Sequence, residues 1–198
     1  MEIFGTELEK QNLRSIVQTA RNKNDELKVA TYVDVANVWN AALNRKGILD
    51  LRHIMNVSKT FGQVVIARAY ICSAAGGMVN SGILNSSSSG FEIITRYVPN
   101  KIYGLKKDID TNLVSDLLED LFTVAPNVIV IASDDSDFVP AILKARKKGV
   151  KCISLVSSFE KANNLVGVST SSYKLSFEES AKEADSVNKI VLDSNEED

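Results

Sequence analysis

Apolar and polar residues alternate in blocks along the chain, and the blocks predict strands that alternate with helices. Several short apolar runs, rich in β-branched residues, are typical of strands buried on both faces of a parallel sheet. These runs are residues 29–33, 63–72, 91–99, 127–132 and 151–158. Between them, apolar residues recur at helical spacing, as in Leu113, Leu117 and Leu121. The pattern therefore predicts an α/β fold.

The predicted element order also indicates where a site would lie. Right-handed crossovers place helices on both faces of a mostly parallel sheet. Open sheets of this kind carry their sites beyond the carboxyl ends of the strands, where the strand order reverses. We expect a helical extension at residues 1–27, one folded domain at residues 28–177, and an acidic, disordered tail at residues 178–198.

Charge is distributed unevenly along the chain. The 198 residues carry 23 basic and 25 acidic side chains, a formal net charge of −2. Residues 28–175 hold 17 basic and 12 acidic residues, a net of +5. Residues 176–198 hold 2 basic and 8 acidic residues, a net of −6. The near-neutral total conceals a basic central body, so a nucleic-acid partner stays open.

Composition excludes several other classes. No apolar run approaches the roughly 20 residues of a membrane-spanning helix, and the scattered charges at the N-terminus do not fit a signal peptide. Cys72 and Cys152 lie in separate apolar runs, which indicates reduced core thiols and a cytoplasmic location. His53 is the only histidine, so neither a zinc site nor a Ser-His-Asp triad is expected.

Two predicted strands run directly into carboxylates at their carboxyl ends. Asp34 follows the first strand of the central body, and Asp135 and Asp137 follow the fourth. Neighbouring parallel strands lie about 4.8 Å apart, so adjacent strands would let these carboxylates share a cation, with Asp110 as a third ligand. An all-oxygen set selects Mg²⁺ or Mn²⁺, and such an ion supports phosphodiester hydrolysis by an activated water.

Each carboxylate also has a simpler interpretation. An Asp just past a strand often only caps the next helix by accepting backbone N–H bonds. The same pattern at two strand ends favours the metal site over capping. Asp116, farther along its helix, is a further ligand, a group that supports the ligands, or a solvated surface acid. Asn37 either orients the water or a phosphate, or is a turn residue.

Further polar and aromatic residues are candidate substrate contacts. Lys107 either contacts a phosphate or is a solvated lysine, and Ser133 either binds a phosphate or closes a turn. Trp39 either stacks on a base or packs in the core. Six further basic residues either complement a phosphate backbone or are simply solvated. They are Lys101, Lys106, Arg146, Lys147, Lys148 and Lys151.

Three segments in order resemble the signature blocks of the NYN, or LabA-like, domains of the PIN-like nuclease superfamily. They are TYVDVANV, KKDIDTNLVSD and VIVIASDDSDFVPAILKARKKGVKCISL, and the resemblance spans residues 28–175. It implies a Rossmann-like three-layer αβα sandwich with a five-stranded sheet in the order 3-2-1-4-5. That order makes the first and fourth strands neighbours.

The resemblance also implies metal-dependent ribonuclease chemistry. It assigns the acidic positions to Asp34, Asp110, Asp135 and Asp137. It assigns the accessory positions to Asn37, Lys107, Asp116 and Ser133. Our first hypothesis is therefore a Mg²⁺- or Mn²⁺-dependent ribonuclease that cleaves single-stranded or structured RNA. The oligomeric state is left open, a homodimer included.

The chain departs from the family pattern at its glycines. The residues that stand at glycine positions of the family blocks are Val35, Asp108, Asp134 and Ser136. Glycine permits positive φ and close backbone approach, and Val does not. These departures motivate a second hypothesis, an RNA-binding or scaffold module of the same fold without effective catalysis. A third, a metal-dependent phosphatase, rests only on the DxD spacing of Asp135 and Asp137.

Overall fold

The computed structural model describes residues 3–4, 27–45, 47, 49–74, 89–98 and 107–177. Apart from residues 3–4 and 27, the helical extension predicted at residues 1–27 lies outside these described residues, and so does the tail predicted at residues 178–198. So do Lys101 and Lys106, two of the predicted basic contacts.

Strands and helices alternate in the described part of the chain, as the apolar pattern predicts. The strands are β1 (Ile3–Phe4), β2 (Lys28–Asp34), β3 (Gln63–Ala74), β4 (Glu92–Val98), β5 (Val128–Ala132), β6 (Lys151–Val156) and β7 (Ser171–Lys174). The helices are α1 (Val35–Leu43), α2 (Leu51–Lys59), α3 (Lys107–Thr123), α4 (Val139–Lys147) and α5 (Asn163–Val168). A 3-10 turn, Ser136–Phe138, precedes α4.

The strands form one sheet in the order β1-β7-β6-β5-β2-β3-β4. Its parallel segment β4-β3-β2-β5-β6 has the predicted order, so the Rossmann-like αβα fold class is confirmed. The predicted count of five strands is wrong, because parallel β7 and antiparallel β1 extend the sheet beyond β6. Both are short, and β7 has the sequence SSYK, so neither has the apolar run on which the prediction relied.

The core forms two layers because both faces of the central strands are buried. Val29 and Val33 of β2 belong to the cluster under α1 and α2. Ala30 and Tyr32, which alternate with them, belong to the cluster under α3, α4 and α5. Alternation on a sheet covered on both sides explains why β2 is an almost unbroken apolar run in the sequence.

The strand order reverses between β2 and β5, and this reversal positions the candidate site. From β2 the chain moves outward to β3 and β4, then returns to β5 on the other side of β2. Val33 pairs with Ala132, so both strands end at the same level of the sheet. The residues that follow, Asp34 and Ser133, therefore meet at the carboxyl edge, where open α/β sheets bind ligands.

Candidate active site

Asp34 is the centre of the carboxyl edge. It is the last residue of β2 and the N-cap of α1, and only 5% of its surface is exposed. Its Oδ1 accepts the backbone N–H of Asn37 at 3.1 Å, and its Oδ2 accepts the Ser133 hydroxyl at 3.0 Å. Asp34 thus caps a helix, as the simpler interpretation held, and also faces the loop after β5.

Burial raises the pKa of the Asp34 carboxyl above 3.8, its ordinary value. The negative charge of Asp135 raises it further, whereas the hydrogen bonds from Asn37 and Ser133 lower it. A desolvated carboxylate beside a second carboxylate is costly to ionise without a neutralising cation. The Asp34–Asp135 pair therefore has the electrostatic character of a cation site.

The loop after β5 is ordered by hydrogen bonds to its own backbone. The Ser133 hydroxyl oxygen, which donates to Asp34, accepts the backbone N–H of Asp135 at 3.0 Å. Asp135 Oδ1 in turn accepts the N–H of Asp137 at 2.8 Å and caps the 3-10 turn. Ser133 thus links the end of β2 to the end of β5. Asp135 is partly buried, and Asp137 is exposed.

Asn37 and Asp134 connect three strand-end loops. The side-chain oxygen of Asn37 accepts the backbone N–H of Asp134 at 3.0 Å. The Asp134 carboxylate accepts the backbone N–H of Ser157, after β6, at 2.6 Å and also the Ser157 hydroxyl. A glycine at this family position could not make the bonds to Ser157. Asp134 thus links the β5 loop to the β6 loop.

The acids of α3 occupy two different environments. Asp110 is half-buried in the first turn of α3, a helix that packs against β2, β3 and the 3-10 turn. Asp116 accepts the hydroxyl of buried Tyr70 at 2.7 Å, and Tyr70 is the register partner of Asp34. Asp116 is thus bound to the strand next to the site.

Metal binding at this edge fits a carboxylate pair better than a larger cage. Among the described residues, no three or more His, Cys, Asp and Glu side chains form a group that could hold a metal ion. Mg²⁺ characteristically binds through one or two carboxylates and fills its other positions with water and substrate phosphate oxygens. The hard oxygen donors of Asp34 and Asp135 fit such an ion.

The predicted substrate residues do not all lie near the carboxylates. Trp39 packs against the core cluster beneath α1 and stays partly exposed. Lys107 is the first residue of α3, at the carboxyl edge. The basic residues of α4 lie at its far end, because the nine-residue helix begins beside the site and is about 13 Å long.

Two of those basic residues also have partners of their own. The Arg146 guanidinium donates to the backbone carbonyl of Val168 at 2.7 Å, at the end of α5. The Lys148 ammonium lies 4.0 Å from the centroid of the Phe122 ring. Lys147, between them, is exposed at the end of α4.

A buried polar network on the α3 face is absent from the sequence prediction. Asp120 of α3 accepts the Tyr32 hydroxyl at 2.8 Å and Arg68 Nη1 at 2.5 Å, and Arg68 Nε donates to Glu92 at 2.9 Å. Burial, and then the hydrogen bond to Asp120, raise the pKa of Tyr32 above its ordinary range. The available signal was the four-residue spacing of Asp116 and Asp120, which places both acids on one face of α3.

Family comparison decides what kind of domain carries this edge. The model of the NYN domain matches residues 28–175, about three quarters of the chain. The chain belongs to the NYN domain family. NYN domains are part of the PIN-like nuclease superfamily, so the described sheet and its carboxyl edge form a nuclease-type domain.

One sequence relative and one solved structure extend this comparison. The chain is 30% identical over 138 residues to the uncharacterized protein MJ0482 of Methanocaldococcus jannaschii. The match covers 70% of this chain but 51% of that protein, so the chain spans about half the length of this relative. The crystal structure of VPA0982, a protein of unknown function from Vibrio parahaemolyticus, superposes with a TM-score of 0.68 at 18% identity, over 77% of this chain and 95% of that one. The likeness to VPA0982 concerns the fold alone.

None of the helices within the described ranges has the length and apolar character needed to cross a bilayer.

Proposed function

We propose that this NYN domain is a Mg²⁺- or Mn²⁺-dependent ribonuclease. The observation that carries the proposal is Asp34, a buried carboxyl at the strand-order reversal whose pKa is raised by burial and by Asp135. A site that destabilises its own negative charge favours a divalent cation. When bound, that cation supplies Lewis-acid stabilisation of phosphoryl charge and an acidified water for hydrolysis.

The chain's own residues would divide the remaining work. Asp34 and Asp135 hold the cation, and Ser133 orients Asp34 through its hydroxyl. Asn37 keeps the β5 loop in place through the Asp134 N–H. Asp137 is exposed at the mouth of the site and is available to position a water or a second ion. We assign Asp110, half-buried on the adjoining helix, the role of a further carboxylate on the α3 side.

RNA is the substrate that the proposal names, in single-stranded or structured form. Lys107 and Ser133 are proposed phosphate contacts at the carboxyl edge. Trp39 of α1, which is partly exposed, is proposed to stack on a base. Lys106, Arg146, Lys147 and Lys148 are proposed contacts farther from the site. We assign the activity to residues 28–177, flanked by residues 1–27 and 178–198, in a cytoplasmic protein.

Cleavage of RNA by the purified full chain tests this proposal. We expect cleavage with Mn²⁺ or Mg²⁺, none with a chelator, and a loss of about 100-fold or more in Asp34→Asn and Asp135→Asn, since removing one transition-state electrostatic contact costs about 10²–10³ in kcat. Asp50→Asn is the matched control. Asp50 caps α2 through the Arg52 N–H, and Asn caps helices as well as Asp.

Two outcomes would contradict the assignment. Full activity in Asp34→Asn would show that Asp34 is not part of the catalytic site. Cleavage that persists in chelator would show that the reaction does not need the cation. RNA binding without cleavage under any metal condition would favour the alternative, a non-catalytic RNA-binding module. The link between Asp134 and Ser157, at a position where the family blocks have glycine, is the observation that favours this second candidate, because it ties the β5 loop to the β6 loop beside the carboxylates.

A further inference from the structure

The edge of the sheet opposite the carboxylates carries a basic surface with one aromatic residue. We call this the amino-edge surface. It comprises Lys28, Phe122, Arg146, Lys147, Lys148 and Lys151. Helices α3 and α4 end at this edge, and β5 and β6 begin there. Asn127 holds the edge together, because its side chain accepts the Lys28 N–H at 2.9 Å and its carbonyl accepts the Lys151 N–H at 3.0 Å.

Positive charge dominates this surface. Residues 139–151 contain five basic residues and no acid. On the adjoining end of α3, Glu119 is exposed, whereas Asp120 is buried and bound to Tyr32 and Arg68. Cations at a helix C-terminus are favoured by the helix dipole, which accounts for Lys147 and Lys148. It does not account for Lys28 and Lys151, which lie at the starts of strands.

Phe122 gives the surface a feature beyond charge. It is 59% exposed, the most exposed of the large apolar side chains in the described part of the chain. The Lys148 ammonium lies over the ring, 4.0 Å from its centroid, and more than half of the residue surface remains accessible. A single exposed apolar residue is ordinary on a protein surface. An exposed ring on a surface rich in cations is the combination that binds single-stranded nucleic acid, through base stacking and phosphate contacts.

We propose that the amino-edge surface is a second RNA-binding site, which holds a single strand by stacking a base on Phe122 and contacting its phosphates with Lys148 and the neighbouring cations. The proposal rests on the proposed function in that RNA is the ligand. It adds that the strand is held at a site about one helix length from Asp34. Because every base has a flat apolar face, this contact tolerates any sequence.

Binding, rather than cleavage, tests this proposal. The probe is a short, unstructured, fluorescently labelled single-stranded RNA, titrated with the full-length Asp34→Asn chain in chelator. Phe122→Ala is expected to weaken binding by about 5-fold or more, the loss of one base stack. Phe122→Tyr is expected to retain affinity because it keeps the aromatic ring. Leu143→Ala is the control, since it removes an exposed apolar side chain on α4 rather than the ring on α3.

The salt dependence isolates the charged contacts. Lys148→Ala is expected to reduce the slope of log K against log salt by about 0.7, the value for one phosphate contact on a single strand. Lys59→Ala, which removes an exposed lysine at the end of α2 on the other face of the sheet, is expected to leave the slope unchanged. Circular dichroism confirms that each variant is folded.

Three results would overturn the proposal. One is unchanged RNA affinity in Phe122→Ala, and another is an equal loss in Leu143→Ala. The third is tighter, Phe122-dependent binding of a polyglutamate peptide than of RNA, which would assign the surface to an acidic protein partner. A domain that proves unable to cleave RNA would contradict the proposed function and still bind the probe here, so the two failures are distinguishable.

Discussion

Asp34 has three structural roles, and its ionised form carries an electrostatic cost. It ends β2, caps α1 and accepts the Ser133 hydroxyl, all of which stabilise the fold. Its burial and the nearby Asp135 raise its pKa, so its ionised form is disfavoured. Functional sites commonly keep such groups because an activity needs them, at some loss of stability.

The stability of Asp34→Asn should reveal this cost. The folded-state pKa lies above 3.8, so the native state binds the proton more tightly, and stability falls as pH rises through the window above 3.8. Asn keeps the cap without the charge. We expect Asp34→Asn to melt higher than the wild type at pH 7 without divalent ions, by roughly 2–4 °C for each 1 kcal/mol relieved.

Two internal controls sharpen the melting experiment. Well below pH 3.8 the part of the difference that comes from the Asp34 charge should vanish, because Asp34 is then protonated in both the folded and the unfolded wild type. Adding Mn²⁺ should raise the melting temperature of the wild type and not that of the variant, since only the wild type binds the ion through Asp34. A variant that melts below the wild type at neutral pH without metal would contradict the account.

At the scale of elements, α3 is attached to the sheet by polar contacts within an apolar interface. Asp120 binds Tyr32 and Arg68, and Asp116 binds Tyr70 one turn earlier. The two acids are four residues apart. Their partners lie at two successive levels of the sheet on the face that α3 covers, Tyr32 and Arg68 at one level and Tyr70 at the next. This match fixes the position of α3 along the sheet, and with it the position of Asp110 at the carboxyl edge.

Removal of Asp120 should therefore destabilise the fold strongly. Asp120→Ala leaves a buried hydroxyl and a partly buried guanidinium without their acceptor, at an expected cost of about 2–3 kcal/mol. Glu119→Ala, an exposed acid one residue earlier on the same helix, should change the free energy of unfolding by less than about 0.5 kcal/mol. Urea unfolding measures both, and equal effects would contradict the role given to the network.

The elements that sequence predicts well are those with a clear apolar period. The five long strands, their order and the helices between them follow from buried runs and from the family resemblance. Residues 163–175 predict only a further helix or strand, and the structure has both, α5 and β7. Strand β1 escapes prediction because it is short and is defined only by its pairing at the sheet edge. The polar face of α3 escapes it because an acid on a helix is by default a solvated one, and only the tertiary partners of Asp120 show otherwise.

The candidate site also combines features that the sequence predicts with features that depend on tertiary contacts. Asp34, Ser133 and Asp135 follow two strand ends in the sequence, and the structure brings them into one hydrogen-bonded group. The link from Asp134 to Ser157 joins loops 23 residues apart, which no local pattern signals. The separation of the α4 cations from the carboxylates depends on the direction of a helix, which the sequence indicates only once the sheet is known.

At the scale of the whole molecule, charge is sorted between the two edges of one sheet. Carboxylates gather at the carboxyl edge and cations at the amino edge, although the chain as a whole carries a formal net charge of −2. The parallel topology produces this division, because the six parallel strands β2–β7 all end on the same side. A phosphodiesterase needs both features, a site for a cation and a surface for a polyanion.

The central claim is that Asp34 and Asp135 hold a divalent cation at the strand-order reversal. The most direct test is a crystal of the domain soaked in Mn²⁺, with an anomalous difference map. The account predicts a peak within about 2.0–2.3 Å of a carboxylate oxygen of Asp34 or Asp135, the range for small hard cations, and no such peak in Asp34→Asn. Saturating Mn²⁺ that gives peaks elsewhere, and none at these two carboxylates, would contradict it.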